Sequence, residues 1–117
     1  MNRSWHSGNA EEDGRERHGW LLGHFIDLAE GVRSSRDVEI KWGIHPAGDK
    51  RAGWTADDQR TTFVFRVSGK FRIDLTDGSH TLQNQGDYLL WGPGINHSWA
   101  ALTDSVVVTV RWPSSPS

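Results

Sequence analysis

The stretch Gly86-Asp-Tyr-Leu-Leu-Trp-Gly-Pro-Gly-Ile-Asn-His97-Ser-Trp99 decides how this chain is read. Gly86-Asp87 punctuates the sequence, and an apolar run follows over residues 88–91. Gly92-Pro93-Gly94 then supplies a rigid turn with freedom for positive φ on both sides of the proline. His97 opens the next strand, and Trp99, two residues on, shares its face if that strand is regular.

Working outward, the hydrophobic period stays at two. Phe71, Ile73 and Leu75 alternate with Lys70, Arg72 and Asp74. Val106, Val108, Val110 and Trp112 alternate with Ser105, Val107, Thr109 and Arg111, and Ile40, Trp42 and Ile44 with Glu39, Lys41 and Gly43. The pattern predicts strands over 20–27, 38–45, 61–67, 70–75, 80–83, 88–91, 97–102 and 105–112, with helical character only over 27–33, where Gly31 interrupts it. Short strands at close, even spacing mean an all-β sandwich or barrel. A three-residue loop, Val67-Ser68-Gly69, would join 61–67 and 70–75 as a hairpin with Phe65 opposite Phe71 and Phe63 opposite Ile73.

The 117 residues suffice for one domain. Residues 1–19 read as a disordered arm, 20–112 as the barrel and 113–117 as a flexible tail. With 35% hydrophobic residues the core is thin, and the 7 Trp and 4 Phe enlarge what each core position buries; Trp42, Trp91 and Trp112 serve as such fillers. A net charge of −2 and the absence of interleaved basic and aromatic residues argue against a nucleic-acid or membrane partner. The chain has no Cys, hence no disulfide, no thiolate metal ligand and no thiol nucleophile. No secretion signal and no membrane-length apolar run is read, and a cytoplasmic location is expected.

The segment from Gly86 to His97 resembles the second conserved motif of the cupin superfamily: Gly, five residues, Pro-x-Gly, two residues, His. Gly86, Gly94 and His97 match it, while Gly92 stands where the motif has its proline. The stretch from Phe63 to Leu75 is similar to the end of the first cupin motif. The resemblance implies an antiparallel jelly-roll β-barrel with a small-molecule pocket at its centre. The family's metal site takes His-x-His and Glu from the first motif and His from the second. Here Trp54 and Ala56 stand at the two His positions and Thr62 at the Glu position, so only His97 matches residue by residue.

His97 is therefore the candidate catalytic or hydrogen-bonding residue. Trp99 and Trp54 are candidate pocket walls, and His45, at a strand end before Pro46, can join His97 across the mouth. Arg60 and Arg66 are candidate anchors for an anionic ligand. For Arg66 a second reading stands beside this one, in which it pairs with Asp74 or Glu39. No cofactor is expected; a divalent metal, if bound, would draw on His97, His45, Asp57 and Asp58.

Three functions follow from these residues. The first is binding of a small organic metabolite, an anionic one if the arginines anchor it, with or without its metal-independent transformation; some cupins, including sugar-nucleotide epimerases, resemble this in working without metal. The second is metal-dependent oxygenase or isomerase chemistry. The third is metabolite sensing without catalysis, and whether the protein is an enzyme stays open. A homodimer is expected, because Val64, Val107 and Leu90 sit opposite the supposed core face and leave apolar surface to cover.

Overall fold

A computed structural model describes residues 4–116. Eight strands form: β1 (Trp20–Leu22), β2 (Glu39–His45), β3 (Thr61–Ser68), β4 (Phe71–Leu75), β5 (Gly78–Leu82), β6 (Tyr88–Trp91), β7 (His97–Ala101) and β8 (Ser105–Trp112). They make a five-stranded sheet of order β1-β2-β8-β3-β6 and a three-stranded sheet of order β5-β4-β7, with antiparallel pairing throughout. Val64, Phe71, Ile73, Leu82, Trp91 and Val107 pack between the sheets as the core. The fold is the all-β jelly roll expected.

The large sheet has its faces reversed from the simple reading of apolar-in, polar-out. Across β2, β8, β3 and β6 the register aligns Glu39, Arg111, Thr62 and Trp91 in one row, and Lys41, Thr109, Val64 and Leu89 in the next. These rows face the small sheet: Glu39, Thr62, Val64 and Trp91 are buried, and Lys41, Thr109 and Arg111 line the cavity between the sheets. The intervening rows face outward. Ile40 and Trp42 stand there on β2, beside Val110 and Val108 of β8, Phe63 and Phe65 of β3, and Leu90 and Tyr88 of β6.

Three expectations are corrected by this register. β3 and β4 do not pair as a hairpin; they belong to different sheets, and the 68–70 turn carries the chain from one to the other. Gly69 is left-handed there, φ 81°, and a Cβ would strike the Asp104 carbonyl oxygen. Phe63 and Phe65 lie on the outer face while Val64 and Val107 are core, because both faces of β3 are apolar and alternation alone cannot say which is inside. Trp42 and Trp112 likewise occupy outer positions of β2 and β8, whereas Trp91 does fill the core. In the Gly-Pro-Gly turn, only Gly94 takes positive φ (80°), and its N–H donates to the Asp58 carbonyl at 2.7 Å.

Both ends of the chain are more tied down than their composition suggested. Within the segment read as an arm, a one-turn helix, α1 (Ala10–Gly14), is capped by the Asn9 side chain and lies against β1 and β2. In the tail, Ser114 is buried and its N–H donates to the Arg36 carbonyl at 3.0 Å. Residues 1–3 of the arm and Ser117 of the tail lie outside the described residues.

Candidate functional site: a cationic cavity between the sheets

A cavity of about 140 Å³ opens between the two sheets. Its floor is apolar, from Val64, Phe71, Ile73 and Val107, and Trp91 and Trp99 wall it. Three cations reach it: Lys41 from β2, Arg111 from β8 and Arg51 from the loop before β3. Among the described residues no carboxylate lines it. The loop is held in place as an irregular extra strand along β7. Arg51 N–H donates to the Trp99 carbonyl at 3.1 Å, and Thr55 and His97 exchange backbone bonds of 2.7 and 3.1 Å. An adjoining groove of about 510 Å³, bounded by α1, shares Lys41, His45 and Trp99 with the cavity.

His97 stands at the start of β7 with its ring 4.7 Å from that of Trp91. Its Nδ1 lies 3.1 Å from the Ile95 carbonyl, and a carbonyl can only accept. Nδ1 therefore carries the proton and Nε2 keeps its lone pair. Burial lowers the pKa of the ring below the usual histidine value; the Ile95 carbonyl and Asp58 oppose this, and Arg51 and Arg111 add to it. His97 is thus a neutral imidazole at pH 7, competent as a base or hydrogen-bond acceptor.

Arg111 is aimed by a carboxylate behind it. Glu39, 1% exposed, accepts from Arg111 Nε at 2.9 Å and from its Nη2, from Arg60 Nη1 at 3.1 Å and from Ser114 Oγ at 2.9 Å. Ser114 Oγ in turn accepts from His24, at 2.9 Å from the backbone N–H and 2.7 Å from Nδ1. Burial still draws the Arg111 pKa down, with Glu39 opposing and Arg60 assisting. Lys41 is depressed as well, by burial first and then by Arg111, while Asp49 pulls the other way. Its ammonium makes no ion pair with a described residue and rests 5.6 Å from the centre of the Trp20 ring. Thr62 Oγ1, on a residue only 3% exposed, has no hydrogen-bond partner among the described residues and belongs to the cavity wall. An unpartnered buried hydroxyl costs stability unless something else satisfies it.

The structure brings His97, Trp99 and His45 together around this cavity. The His45 ring packs 4.4 Å from that of Trp99 and 5.3 Å from that of Phe71, and its Nδ1 is 2.8 Å from Asp49 Oδ2. Arg60, Arg66 and Trp54 are placed elsewhere. Arg60 is spent on Asp58, through Nε at 2.9 Å and Nη2 at 3.0 Å, and on Glu39. Arg66 faces inward by parity but folds back, its Nε donating to the Gly69 carbonyl, and pairs with neither Asp74 nor Glu39. Trp54 is about half exposed on a shallow surface beside Arg72 and Asp74.

The alternative metal set is not assembled. Both carboxylate oxygens of Asp58 serve Arg60, Asp57 is an exposed loop residue at φ 59°, and His45 is engaged by Asp49. Among the described residues, no three His, Cys, Asp or Glu side chains cluster as metal ligands would. A cavity lined by three cations and no carboxylate does not fit a divalent cation.

Lys41, Arg51 and Arg111 went unread in the sequence as site residues. The signal for two of them was parity: Lys41 shares a face with His45 and Arg111 with Val107, but without strand pairing that face reads as solvent. Arg51 sits in a loop, where no periodicity speaks.

No protein-family model matches the chain, and no curated protein matches it. Solved structures do. KdgF from Halomonas sp. superposes with a TM-score of 0.63 at 19% identity, over 70% of this chain and 74% of that one. An RmlC-like cupin from Shewanella frigidimarina gives 0.62 at 15% identity, over 69% and 70%. A Neisseria meningitidis protein gives 0.60 at 15% identity and covers 92% of this chain and 99% of its own. The likeness is one of fold: this chain has the RmlC-like cupin fold. No helix among the described residues is long and apolar enough to cross a membrane.

Proposed function

We propose that this cupin-fold barrel binds a compact organic anion, without a metal, in the cavity between its sheets. The observation that carries the reading is the charge of the lining: Lys41, Arg51 and Arg111 line one cavity, and among the described residues no carboxylate lines it with them, Glu39 and Asp58 meeting Arg111 from outside it. Two of these cations have their pKa values depressed by burial, so an anionic ligand gains both Coulomb energy and charge-assisted hydrogen bonds by pairing with them. The unpartnered Thr62 hydroxyl adds a donor at the same wall. Thr62 stands where the family resemblance puts a metal-binding Glu, so its presence turns an anionic position into a neutral one.

Size and polarity narrow the ligand. About 140 Å³ is well below the roughly 300–1,000 Å³ of drug-sized pockets, so the bound group is small. Trp91, Trp99 and the aliphatic floor suit a flat or apolar body behind a carboxylate or phosphate. His97, neutral and with Nε2 unprotonated, is the residue to take a proton from such a ligand. Removal of that proton is the chemistry the site offers, and general bases of this kind contribute about 10²–10⁴-fold in rate.

Titration calorimetry tests the reading with a panel of small carboxylates and phosphates, each set against its neutral amide and an amine of the same skeleton. Saturable binding of at least one anion, with its amide and amine at least ten-fold weaker, is the expected result. Equal binding of anion and amine, or tight stoichiometric binding of a divalent metal, would overturn it.

A further inference from the structure

The chain has three lysines, and only one of them is drawn inside the barrel. Lys50 and Lys70 are exposed, whereas β2 sets Lys41 on the inner row of the large sheet. It lines both the cavity and the groove bounded by α1, so it stands where the two spaces meet. A single indole holds it beside another cation: the centre of the Trp20 ring is 5.6 Å from Lys41 Nζ and 4.5 Å from Arg111 Cζ. Arg51 lines the same cavity. Asp49, the carboxylate that acts on Lys41 in the opposite sense, is itself 2.8 Å from His45 Nδ1. Burial first and then Arg111 hold the lysine below the usual ammonium range, with Asp49 opposing and Arg51 assisting. A desolvated lysine beside other cations keeps more of its neutral amine, and that amine is a nucleophile toward carbonyl carbon.

We infer that Lys41 forms an imine with a small oxo acid whose carboxylate is held by Arg51 and Arg111. This rests on the anion-binding reading above and gives that site its substrate class. The Lys41 ammonium first yields a proton to Nε2 of His97, the unprotonated ring nitrogen on the same lining. The Nζ lone pair then makes the C–N bond while the carbonyl π pair moves to oxygen. One proton shifts from Nζ to that oxygen, and His97 returns its own proton to the resulting hydroxyl. The C–O bond breaks, water leaves, and the nitrogen lone pair closes the C=N bond. The products are a protonated imine and one water, His97 is regenerated, and no oxidant, reductant or second substrate is consumed. A protonated imine withdraws electrons from the neighbouring C–H bond, so it acidifies the proton that His97 is there to remove. The cavity of about 140 Å³ suits the shortest oxo acids, with Arg51 and Arg111 left to the carboxylate once Lys41 has turned to the carbonyl.

Reductive trapping on the full chain tests the inference, with glyoxylate and pyruvate as the probes. The protein is incubated with each acid, cyanoborohydride is added, and the digest is read by mass spectrometry. The Lys41 peptide should gain the mass of one probe molecule less one oxygen atom, at least about ten-fold in excess over Lys50 and Lys70. Lys41→Arg keeps the charge and should remove that adduct; if it does not fold, the wild-type peptide map carries the test by itself. Arg51→Met should lower trapping of pyruvate at Lys41 several-fold. Even labelling of the three lysines, or no Lys41 adduct from either acid, would overturn the inference. Calorimetry with glycolate and lactate, which lack the carbonyl, tells its failure from that of the anion reading. Binding of these acids without any trapping at Lys41 sinks the imine and leaves the anion site standing. No binding of these or any other small anion, with acetaldehyde trapped at Lys41 as well as pyruvate, sinks the anion site and the oxo-acid assignment with it.

Discussion

Replacing Glu39 by Gln is the most informative single change for the architecture that aims Arg111. The carboxylate is 1% exposed and takes hydrogen bonds from Arg60, Arg111 and Ser114, so one residue ties β2, β8, the segment before β3 and the C-terminal stretch together. Breaking a buried ion pair by removing one partner costs about 3–5 kcal/mol. Two observations lower the figure. The Arg60 and Arg111 side chains are 17% and 21% exposed, and Arg60 keeps Asp58 at 2.9 Å. The expected cost is then about 2–3 kcal/mol, within the range for a broken buried ion-pair network. For a domain of this size that is a fall in Tm of about 10–20 °C. Urea unfolding followed by tryptophan fluorescence gives the free energy, and a thermal melt gives the shift. Adding Arg111→Met to Glu39→Gln removes the stranded charge, so the double variant should regain about 1 kcal/mol or more over Glu39→Gln alone. A single-variant cost below about 1 kcal/mol, or strict additivity of the two changes, would refute the reasoning that this cluster is a coupled, buried unit.

Further outcomes follow from the cavity. His97→Ala should cost only about 1 kcal/mol, because the 92–94 turn and the Thr55 backbone bonds set the local chain path. Trp99→Ala should cost about 3 kcal/mol, since it strips a ring stacked on Phe71 at 5.4 Å and tilted against His45 at 4.4 Å; chemical denaturation of both variants checks the order, and the reverse order would make His97 a structural residue. Proton NMR of the His97 ring should give a titration midpoint below 6.5, because burial disfavours the imidazolium. The sign for stability follows: the unfolded ring binds its proton first as pH falls, so the stabilisation is complete above pH 6.5 and declines as pH drops through the folded midpoint, a loss that His97→Asn should abolish.

The order of the elements was legible because period-two alternation runs over β2 and β4 and turn residues separate the other apolar runs, although the strand expected over 20–27 stops at Leu22. Which face is inside was not. β3 carries Phe63 and Phe65 on one side and Val64 on the other, so hydrophobicity does not discriminate between them. Thr62 and Arg111 are the more instructive pair. They sit opposite each other in the inner row of the large sheet, yet they are 49 positions apart in sequence, and only the β3–β8 pairing joins them. His97 was legible from the Gly-rich turn before it, since turn chemistry is local. Arg60 and Arg66 were named as anion anchors because an inward cation needs a partner. The reasoning holds, but the partners are Asp58 and Glu39 for Arg60 and the Gly69 carbonyl for Arg66. Arg111, met by Glu39 on its Nε and Nη2 edge and 3.9 Å from Asp58 at Nη1, is the cation that parity assigned to solvent and the sheet turned inward.

The central claim is that the cavity selects for negative charge, and reversing one charge within it tests this directly. Lys41→Glu places a carboxylate beside Arg111 without disturbing any ion pair made to a described residue. Calorimetric titration of wild type and Lys41→Glu with the best-bound anion, in low salt, should show at least a hundred-fold loss of affinity in the variant, with unfolding free energy changed by less than about 1 kcal/mol. Unchanged anion affinity in a folded Lys41→Glu protein would contradict the account.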